Sequence, residues 1–149
     1  MKISAVPFAA LSPLTAYSLW KLRQDVFVVE QEAAYADLDG LDLAPETRHV
    51  VMEDDEGAVV GCARVLDEGR VGQNVWRIGR VALHRTARGK GLADALMMTA
   101  LQVCPDRDIV LDAQAPLAGW YAGHGFEADG EEFLEDGIPH LPMRRRLRR

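Results

Sequence analysis

The stretch Arg88-Gly89-Lys90-Gly91-Leu92-Ala93 decides the fold of this chain. It lies between an apolar stretch at residues 75–83 and a helix-forming stretch at residues 92–103, which predicts a turn between a strand and a helix. Glycines at 89 and 91 remove two Cβ atoms, so an anion can approach the backbone of the turn. The unpaired N–H groups and the positive dipole end of the helix point at the same place. The stretch therefore predicts a phosphate-binding turn.

Two common phosphate motifs do not fit this turn. Lys90 is followed by Gly91 and Leu92 rather than by the Ser or Thr that holds magnesium in a Walker loop. The dinucleotide fingerprint fails at Asp94, and no second β-α-β unit follows to receive a nicotinamide. Arg88 and Lys90 add mobile positive charge to the turn. On these residues alone, an ordinary strand-to-helix connection stays open as the alternative.

A second motif follows the short apolar strand at residues 109–113. Gln114 comes directly after that strand, Tyr121 follows seven residues later, and Gly125-Phe126 ends the segment. With the Arg-x-x-Gly-x-Ala spacing of residues 88–93, this pattern resembles the GNAT family of N-acetyltransferases. Gln114 stands where that family usually has asparagine. The resemblance implies that the coenzyme is acetyl-CoA, used as a co-substrate, and that no metal is needed.

Further matches extend the resemblance over nearly the whole chain, and they point to the ElaA-like subgroup of the family. They are Leu22-Arg23, Val26-Phe27-Val28-Val29-Glu30-Gln31, Tyr35, Asp39-Gly40, Arg48-His49, Ile78-Gly79-Arg80-Val81, Ala113-Gln114-Ala115 and Glu135-Asp136-Gly137-Ile138-Pro139-His140. The combination is far more specific than any single motif. It implies the class of reaction, transfer of an acetyl group to an amine, but gives no acceptor.

The order of the expected elements agrees with that family. The sequence predicts strands at residues 2–8, 49–53, 58–66, 75–83, 109–113, 126–133 and 139–147, and helices beginning at residues 12, 91 and 116. The strands come first in hairpins and then in two β-α crossovers. We expect an α+β fold of the GNAT type, with a mixed, mostly antiparallel central sheet flanked by helices on both faces. The strand at 75–83 is expected to be covered on both faces.

Composition predicts a single domain over residues 1–149. The chain is 48% hydrophobic, enough for a sizeable core, and its apolar runs fall far short of the roughly 20 residues that cross a bilayer. No signal-peptide core follows Met1, so a cytoplasmic protein without a membrane partner is expected. Cys62 and Cys104 show neither a C-x-x-C pattern nor metal spacing, which predicts two buried small residues and no metal site.

The net charge of −6 hides an asymmetry along the chain. Five arginines lie within residues 144–149, so residues 1–143 carry −11. Such a body repels nucleic acid, and the arginine tail is expected to be the solvated end of a last strand. The acidic excess serves either solubility or the attraction of a cationic acceptor. We expect a small-molecule amine or a basic peptide end as acceptor; the oligomeric state, a homodimer included, stays open.

The resemblance also implies where the coenzyme lies. Backbone N–H groups of residues 88–93 would bind its pyrophosphate, and Gln114 would contact its pantetheine arm. That arm would run beside the strand that holds Val81, Ala82 and Leu83, pairing with its backbone as an added strand does. A backbone N–H near Val81 or Ala82, where the family strand bulges, would meet the oxyanion.

Tyr121 is the expected general acid. A phenol with an ordinary pKa of about 10 stays protonated at neutral pH and can share its proton with a departing thiolate. The alternative is a packing residue of the short helix. A non-catalytic module that binds or senses acyl-CoA is the rival function, and a transferase for a longer acyl group is a third.

Residue types alone leave the general base open. Five side chains could take a proton from an ammonium acceptor: Glu30, His49, His84, Asp112 and His140. Glu30 and His140 are preferred because each lies in a segment that matches the subgroup and outside the coenzyme motif. Arg80, in an apolar strand, needs a carboxylate partner, which is expected to be Glu30 or Asp112. Residues 32–47 are expected to form a long loop that shapes the site.

Overall fold

The computed structural model describes residues 1–148 of the chain, which form one sheet and three α-helices. The strands are β1 (Lys2–Val6), β2 (Arg48–Glu53), β3 (Val59–Asp67), β4 (Val75–Leu83), β5 (Asp108–Gln114), β6 (Glu127–Ala128), β7 (Phe133–Glu135) and β8 (Ile138–Arg145). The helices are α1 (Pro13–Arg23), α2 (Leu92–Gln102) and α3 (Ala118–Gly123). No helix in the described part of the chain is long and apolar enough to cross a bilayer.

The sheet is mixed and mostly antiparallel. Its strand order is β1-β2-β3-β4-β5-β8-β6, with β7 also paired to β8. Among residues 1–148 only β4 and β5 pair in parallel, and α2 forms the crossover between them. Because β5 and β6 both run antiparallel to β8, they run parallel to each other, and α3 forms this second crossover. The expected sheet type and both crossovers are confirmed.

Helices cover both faces of the sheet. Neighbouring residues of a strand point to opposite faces, so Val50 and Met52 lie in the larger core cluster while Val51 lies in the smaller one. The larger cluster contains side chains of α2 and α3, and the smaller contains Leu19 and Leu22 of α1. The fold class expected from the sequence is therefore confirmed, with α1 on one face and α2 and α3 on the other.

The start of α1 follows from its first two residues. The Ser12 hydroxyl accepts a hydrogen bond from the Thr15 N–H at 3.1 Å, and Pro13 occupies the first helical position. The apolar positions that predicted this helix are all buried, namely Ala16, Leu19, Leu22 and Val26. Beyond Arg23 the chain continues as a π-helical segment, Gln24–Glu30, which hydrophobic spacing did not predict. Such segments occur often at functional sites.

The central strands part to form a V. β4 pairs with β5 only from Val75 to Arg77, whereas β5 stays beside β8 as far as Gln114 and β4 stays beside β3 as far as Leu83. Near its end β4 bulges, with Arg80 at φ +51° between the pairs Gly79–Arg64 and Ala82–Cys62. The expectation that residues 75–83 are covered on both faces is wrong, because this opening leaves much of the strand only half-buried.

The predicted strand at 126–133 is also wrong in its middle. Only Glu127–Ala128 and Phe133–Glu135 pair with β8, and the segment between them leaves the sheet. That segment contains Gly130 and two glutamates, which have low strand propensity. Asp136 and Gly137 then make a tight turn with φ values of +51° and +77°, which returns the chain into β8.

Candidate active site

A cleft of about 760 Å³ occupies the V between β4 and β5. Its lining brings together most of the predicted site residues: Glu30, Val81, Ala82, Leu83, Arg88, Gln114, Tyr121 and His140. Residues 89–93 do not line the cleft; they form the turn that follows Arg88 and leads into α2. The π-helical segment, the loop at 32–47 and the β7–β8 hairpin complete the walls.

The predicted phosphate turn has the backbone that its glycines suggested. Gly89 and Gly91 have φ values of +75° and +74°, a left-handed conformation that favours glycine. A Cβ atom built on either would meet nothing within 4 Å, so the space above the turn is open. Gly91 precedes α2 directly and offers no side chain to cap the first N–H groups of that helix. Lys90 is exposed and makes no side-chain hydrogen bond or ion pair with the described residues.

Arg88 is fixed rather than mobile, which corrects one expectation. Its Nη1 and Nη2 donate to the two carboxylate oxygens of Glu30 at 2.7 and 2.6 Å, and its Nε donates to the Leu83 carbonyl at 3.1 Å. The hydrogen bond from Arg88 holds the pKa of Glu30 below its usual range. Since both Glu30 oxygens are engaged, this carboxylate is a weak base in this state, and it neutralises Arg88.

Tyr121 presents a hydroxyl without a partner. The residue is only 7% exposed, and its hydroxyl makes no hydrogen bond within residues 1–148, although it lines the cleft. Its ring packs edge-on against Trp120 and Phe126, with centroids 4.8 and 6.0 Å away. Burial raises the pKa of Tyr121 to about 12. The phenol is therefore protonated at neutral pH and free to donate to a ligand.

His140 has one ring nitrogen free for proton transfer. Its Nδ1 lies 2.7 Å from the Ile138 carbonyl oxygen. A carbonyl only accepts hydrogen bonds, so Nδ1 carries the proton and Nε2 holds the lone pair in the neutral ring. Nε2 lies 3.9 Å from a carboxylate oxygen of Glu135, and the ring stacks on Phe133. In the sheet His140 pairs with Gln114, which places it at the β5 side of the V.

The end of the π-helical segment touches both walls of the V. Gln31 and Gln114 exchange two amide hydrogen bonds of 3.2 and 3.4 Å, next to the contact between Glu30 and Arg88. Glu30 therefore reaches the turn after β4, and Gln31 reaches the end of β5. Gln114, expected to contact the pantetheine arm, is engaged by Gln31 in this state.

Of the other three candidates for the base, only Asp112 lines the cleft. His49 is buried outside the cleft lining, with Nε2 3.0 Å from the Asp42 carbonyl oxygen, and burial lowers its pKa. His84 also lies outside the cleft lining and caps a short 3₁₀ helix through Nδ1. Asp112 does line the cleft and lies 3.4 Å from Nη1 of Arg77. The cleft thus holds Asp112 with Glu30 and His140.

Arg80 does have carboxylate partners, but not the expected ones. Its Nε lies 2.9 Å from a carboxylate oxygen of Asp37, and its Nη2 lies 3.4 Å from one of Asp39. The expectation of Glu30 or Asp112 is wrong, because the bulge turns Arg80 toward the loop at 32–47. The guanidinium also lies over the ring of Tyr35, 5.3 Å from its centroid.

Sequence reasoning missed a network of charges that holds this loop. Arg23 donates to Asp37 and Asp42 at 2.9 and 2.8 Å, and Arg64 donates to Asp39 and Asp42 at 2.9 and 3.1 Å. The only signal was three aspartates in one short stretch, at positions 37, 39 and 42. Three arginines from α1, β3 and β4 meet them, so the network joins the loop to the sheet and builds one wall of the cleft.

The cysteines are structural, as expected. Cys62 and Cys104 are both buried, and burial raises the pKa of each thiol to about 12. Neither lines the cleft. A protonated, buried thiol is a poor nucleophile. In the described part of the chain, no group of three or more His, Cys, Asp or Glu side chains is arranged to hold a metal ion.

Known proteins match this chain over most of its length. Residues 16–147 match the family model described as "Acetyltransferase (GNAT) domain". The chain is 50% identical over 129 residues to a UPF0039 protein of Mycobacterium tuberculosis, covering 87% of this chain and 83% of the relative. It is 39% identical over 142 residues to protein ElaA of Escherichia coli, covering 92% of this chain and 91% of the relative.

Solved structures give the same relationship. An acyl-CoA N-acyltransferase from Pseudomonas aeruginosa superposes with a TM-score of 0.90 at 40% identity, covering 97% of this chain and 99% of the other. Escherichia coli ElaA superposes with a TM-score of 0.90 at 35% identity, covering 97% and 98%. These matches support acyl-CoA-dependent acyl transfer as the general class of reaction. The chain belongs to the GNAT family of acetyltransferases and, within it, to the ElaA-like group.

Proposed function

We propose that this protein transfers an acetyl group from acetyl-CoA to a primary amine, directly, with both substrates bound at once. The observation that carries the proposal is Tyr121, a buried residue that lines the cleft between the parted strands and whose hydroxyl has no hydrogen-bond partner among residues 1–148. An acid in that position suits the departure of a thiolate, since a pure binding module has no need of one.

Three features of the chain fit coenzyme A. The open turn at Gly89 and Gly91, followed by the uncapped start of α2, suits a pyrophosphate. From Ile78 to Leu83, β4 has no pairing with β5, so that side of its backbone can pair with an extended arm such as pantetheine. The Tyr121 hydroxyl supplies a donor at the inner part of the cleft. Acetyl-CoA supplies the activated acyl group, and no metal is required.

Different groups in the cleft would then carry out the separate steps of the transfer. A backbone N–H of Val81 or Ala82, beside the bulge at Arg80, would donate to the carbonyl oxygen of the thioester as negative charge develops there. Tyr121 would give its proton to the departing sulfur. Its pKa of about 12 keeps it protonated throughout the neutral range.

His140 is the better candidate for the base. Its Nε2 holds a lone pair, with Glu135 3.9 Å away to pass a proton onward, whereas both oxygens of Glu30 are bound by Arg88. Glu30 stays in the proposal as the partner that fixes Arg88, and its role as a base stays a prediction. Removal of a proton from an ammonium acceptor needs one such group, directly or through water.

The acceptor end of the cleft favours a cation. Asp112, Glu135 and Asp136 line it, and apart from one contact of Asp112 with Arg77 and the nearby His140 ring they have no cationic partner among residues 1–148. A small cationic amine or a basic peptide end would suit these carboxylates. A homodimer and a cytoplasmic location stay predictions.

The test is release of free thiol from acetyl-CoA with a panel of amines, measured for the wild type, Tyr121→Phe and His140→Gln. Loss of general acid or base help lowers turnover by a factor of about 10² to 10⁴. Tyr121→Phe keeps the ring and its packing, so coenzyme affinity and thermal stability should change little. Equal turnover of Tyr121→Phe and wild type, where chemistry limits the rate, would remove Tyr121 from the mechanism. Tight coenzyme binding without thiol release from any amine would favour the sensing module.

A further inference from the structure

One carboxylate oxygen joins the start of α2 to the helix that carries Tyr121. Asp94 lies in the first turn of α2, and its Oδ1 accepts hydrogen bonds from Trp120 Nε1 and His124 Nε2, both at 2.9 Å. Trp120 directly precedes Tyr121 in α3, and His124 is the residue that caps the end of this helix. Asp94 itself does not line the cleft.

Without such contacts α3 would be poorly held. It spans six residues, too few for a helix to be stable on its own. At its far end Arg145 Nε donates to the His124 carbonyl at 3.1 Å. At its other side Trp120 packs edge-on against both Tyr121 and His124, with centroids 4.8 and 5.0 Å away. Together with core packing against Phe126, Asp94 therefore helps to set the position of the Tyr121 ring.

The position of Asp94 is not explained by coenzyme binding. A carboxylate in the first turn of a helix interacts favourably with the helix dipole. The same helix start follows the turn proposed to bind phosphate, where a fixed negative charge repels an anion. A residue that served the phosphate alone would not be acidic. The hydrogen bonds to Trp120 and His124 give this carboxylate a role besides its interaction with the helix dipole.

We infer that Asp94 is a positioning residue for Tyr121: it fixes α3 against α2 and so sets the distance between the phosphate turn and the proposed acid. The inference rests on the proposed function for its catalytic consequence. It also predicts the position of the Tyr121 ring, which can be measured whether or not the protein shows enzyme activity.

The kinetic test is a double-mutant cycle of Asp94→Ala and Tyr121→Phe, with Asp94→Asn as the conservative variant. Asp94→Ala should lower kcat about tenfold without weakening coenzyme binding, because the acid is displaced while the turn keeps its glycines. Asp94→Asn should keep most of the activity, because its amide oxygen still accepts from both donors. In the Tyr121→Phe background, Asp94→Ala should cause little further loss. Glu56→Ala, an exposed carboxylate on the β2–β3 turn, is the control for loss of charge.

The structural test follows the ring directly by NMR of protein labelled in its three tyrosines. Tyr121→Phe identifies the Tyr121 signal. Asp94→Ala should shift that signal, while Asp94→Asn and Glu56→Ala should leave it in place. An unmoved signal in Asp94→Ala overturns the inference whatever the enzyme does. Equal losses of kcat from Asp94→Ala in the presence and absence of the Tyr121 hydroxyl also overturn it. A shifted signal with kcat unchanged would instead count against the proposed function, because the Tyr121 ring would have moved without any effect on turnover.

Discussion

Arg80 shows how a single residue shapes this cleft. Its φ of +51° is unusual for a residue with a side chain, and such a backbone costs of order 1–3 kcal/mol. The conformation is kept because it turns the guanidinium toward Asp37 and Asp39 and bulges β4 where the thioester is proposed to bind. The charge network of the loop at 32–47 therefore supports both the wall of the cleft and the bulge.

Asp42 is the most deeply buried carboxylate of that network, and its removal should destabilise the fold. Burial alone would raise the pKa of Asp42, but hydrogen bonds and charge from Arg23 and Arg64 outweigh it and hold the pKa below its usual range. Asp42→Asn should lower the free energy of unfolding by about 3 kcal/mol at pH 7, because two buried guanidinium groups lose their shared charge. Urea denaturation measures the change. Asp25→Asn, which breaks an exposed pair with Lys21, should change the stability far less, because solvent screens that pair.

The contribution of Asp42 to the free energy of unfolding should depend on pH, in a direction that its lowered pKa determines. Since the folded pKa of Asp42 lies below the unfolded value of about 3.9, its contribution is complete above that value and is lost as the pH falls through the folded pKa. The difference in unfolding free energy between wild type and Asp42→Asn should therefore shrink below about pH 4. A difference that stays constant from pH 7 to pH 3 would show that Asp42 acts by packing alone.

At the scale of elements, the phosphate turn gives a direct test of the donor site. Gly91→Glu should raise the coenzyme dissociation constant at least about tenfold, or 1.4 kcal/mol, because a side chain and a negative charge enter the open space above the turn. The left-handed backbone of Gly91 is strained by any side chain, so a matched control is needed. Gly57→Glu has a similar φ of +82° and open space, on the β2–β3 turn. Calorimetry should find its coenzyme affinity unchanged; equal affinities of both variants would rule out the turn.

Elements whose signal is local were predictable from the sequence. The cap at Ser12-Pro13 and the spacing of apolar residues gave α1, and the glycine turn gave the junction of β4 and α2. The two cysteines were also placed correctly. The fold class followed from motifs that resemble a known family, since each motif keeps its residues close in sequence; the coenzyme segment stays a prediction of the same motifs.

Features that join distant segments were not predictable. The partners of Arg80 come from a loop about forty residues away, and no periodicity relates them. Hydrophobic spacing gives no signal for the π-helical segment, whose residues 26–29 are all apolar. The parting of β4 from β5 depends on where the pairing of these two strands stops, which neither strand shows alone. The pairing of Glu30 with Arg88 is of the same kind, so the weakness of Glu30 as a base became visible only in the structure.

At the scale of the whole molecule, the described part of the arginine tail, residues 144–148, does not line the cleft. β8 runs from Ile138, which lines the cleft, to Arg145 at its other end. Arg144 is paired there with Asp108 and Asp129, at 3.0 and 3.2 Å. The tail was expected to be the solvated end of the last strand. Arg146 and Arg148 are exposed, but Arg144 and Arg145 are half-buried within β8, and Arg149 lies outside the described residues. The arginines of residues 144–148 therefore do not offset the carboxylates at the proposed acceptor end, Asp112, Glu135 and Asp136.

This arrangement predicts how the rate depends on salt. If the acidic surface draws a cationic acceptor to Asp112, Glu135 and Asp136, kcat/KM for that acceptor should fall as the ionic strength rises past about 0.1 M, where charges more than roughly 10 Å apart are screened. The fall should appear in kcat/KM and not in kcat, since steering acts on the encounter and not on the bound complex. Asp136→Asn should reduce the slope, while Glu56→Gln, remote from the cleft, should change it little. A neutral or anionic amine that reacts best, or a flat salt profile with a cationic one, would refute steering and leave the coenzyme site untouched.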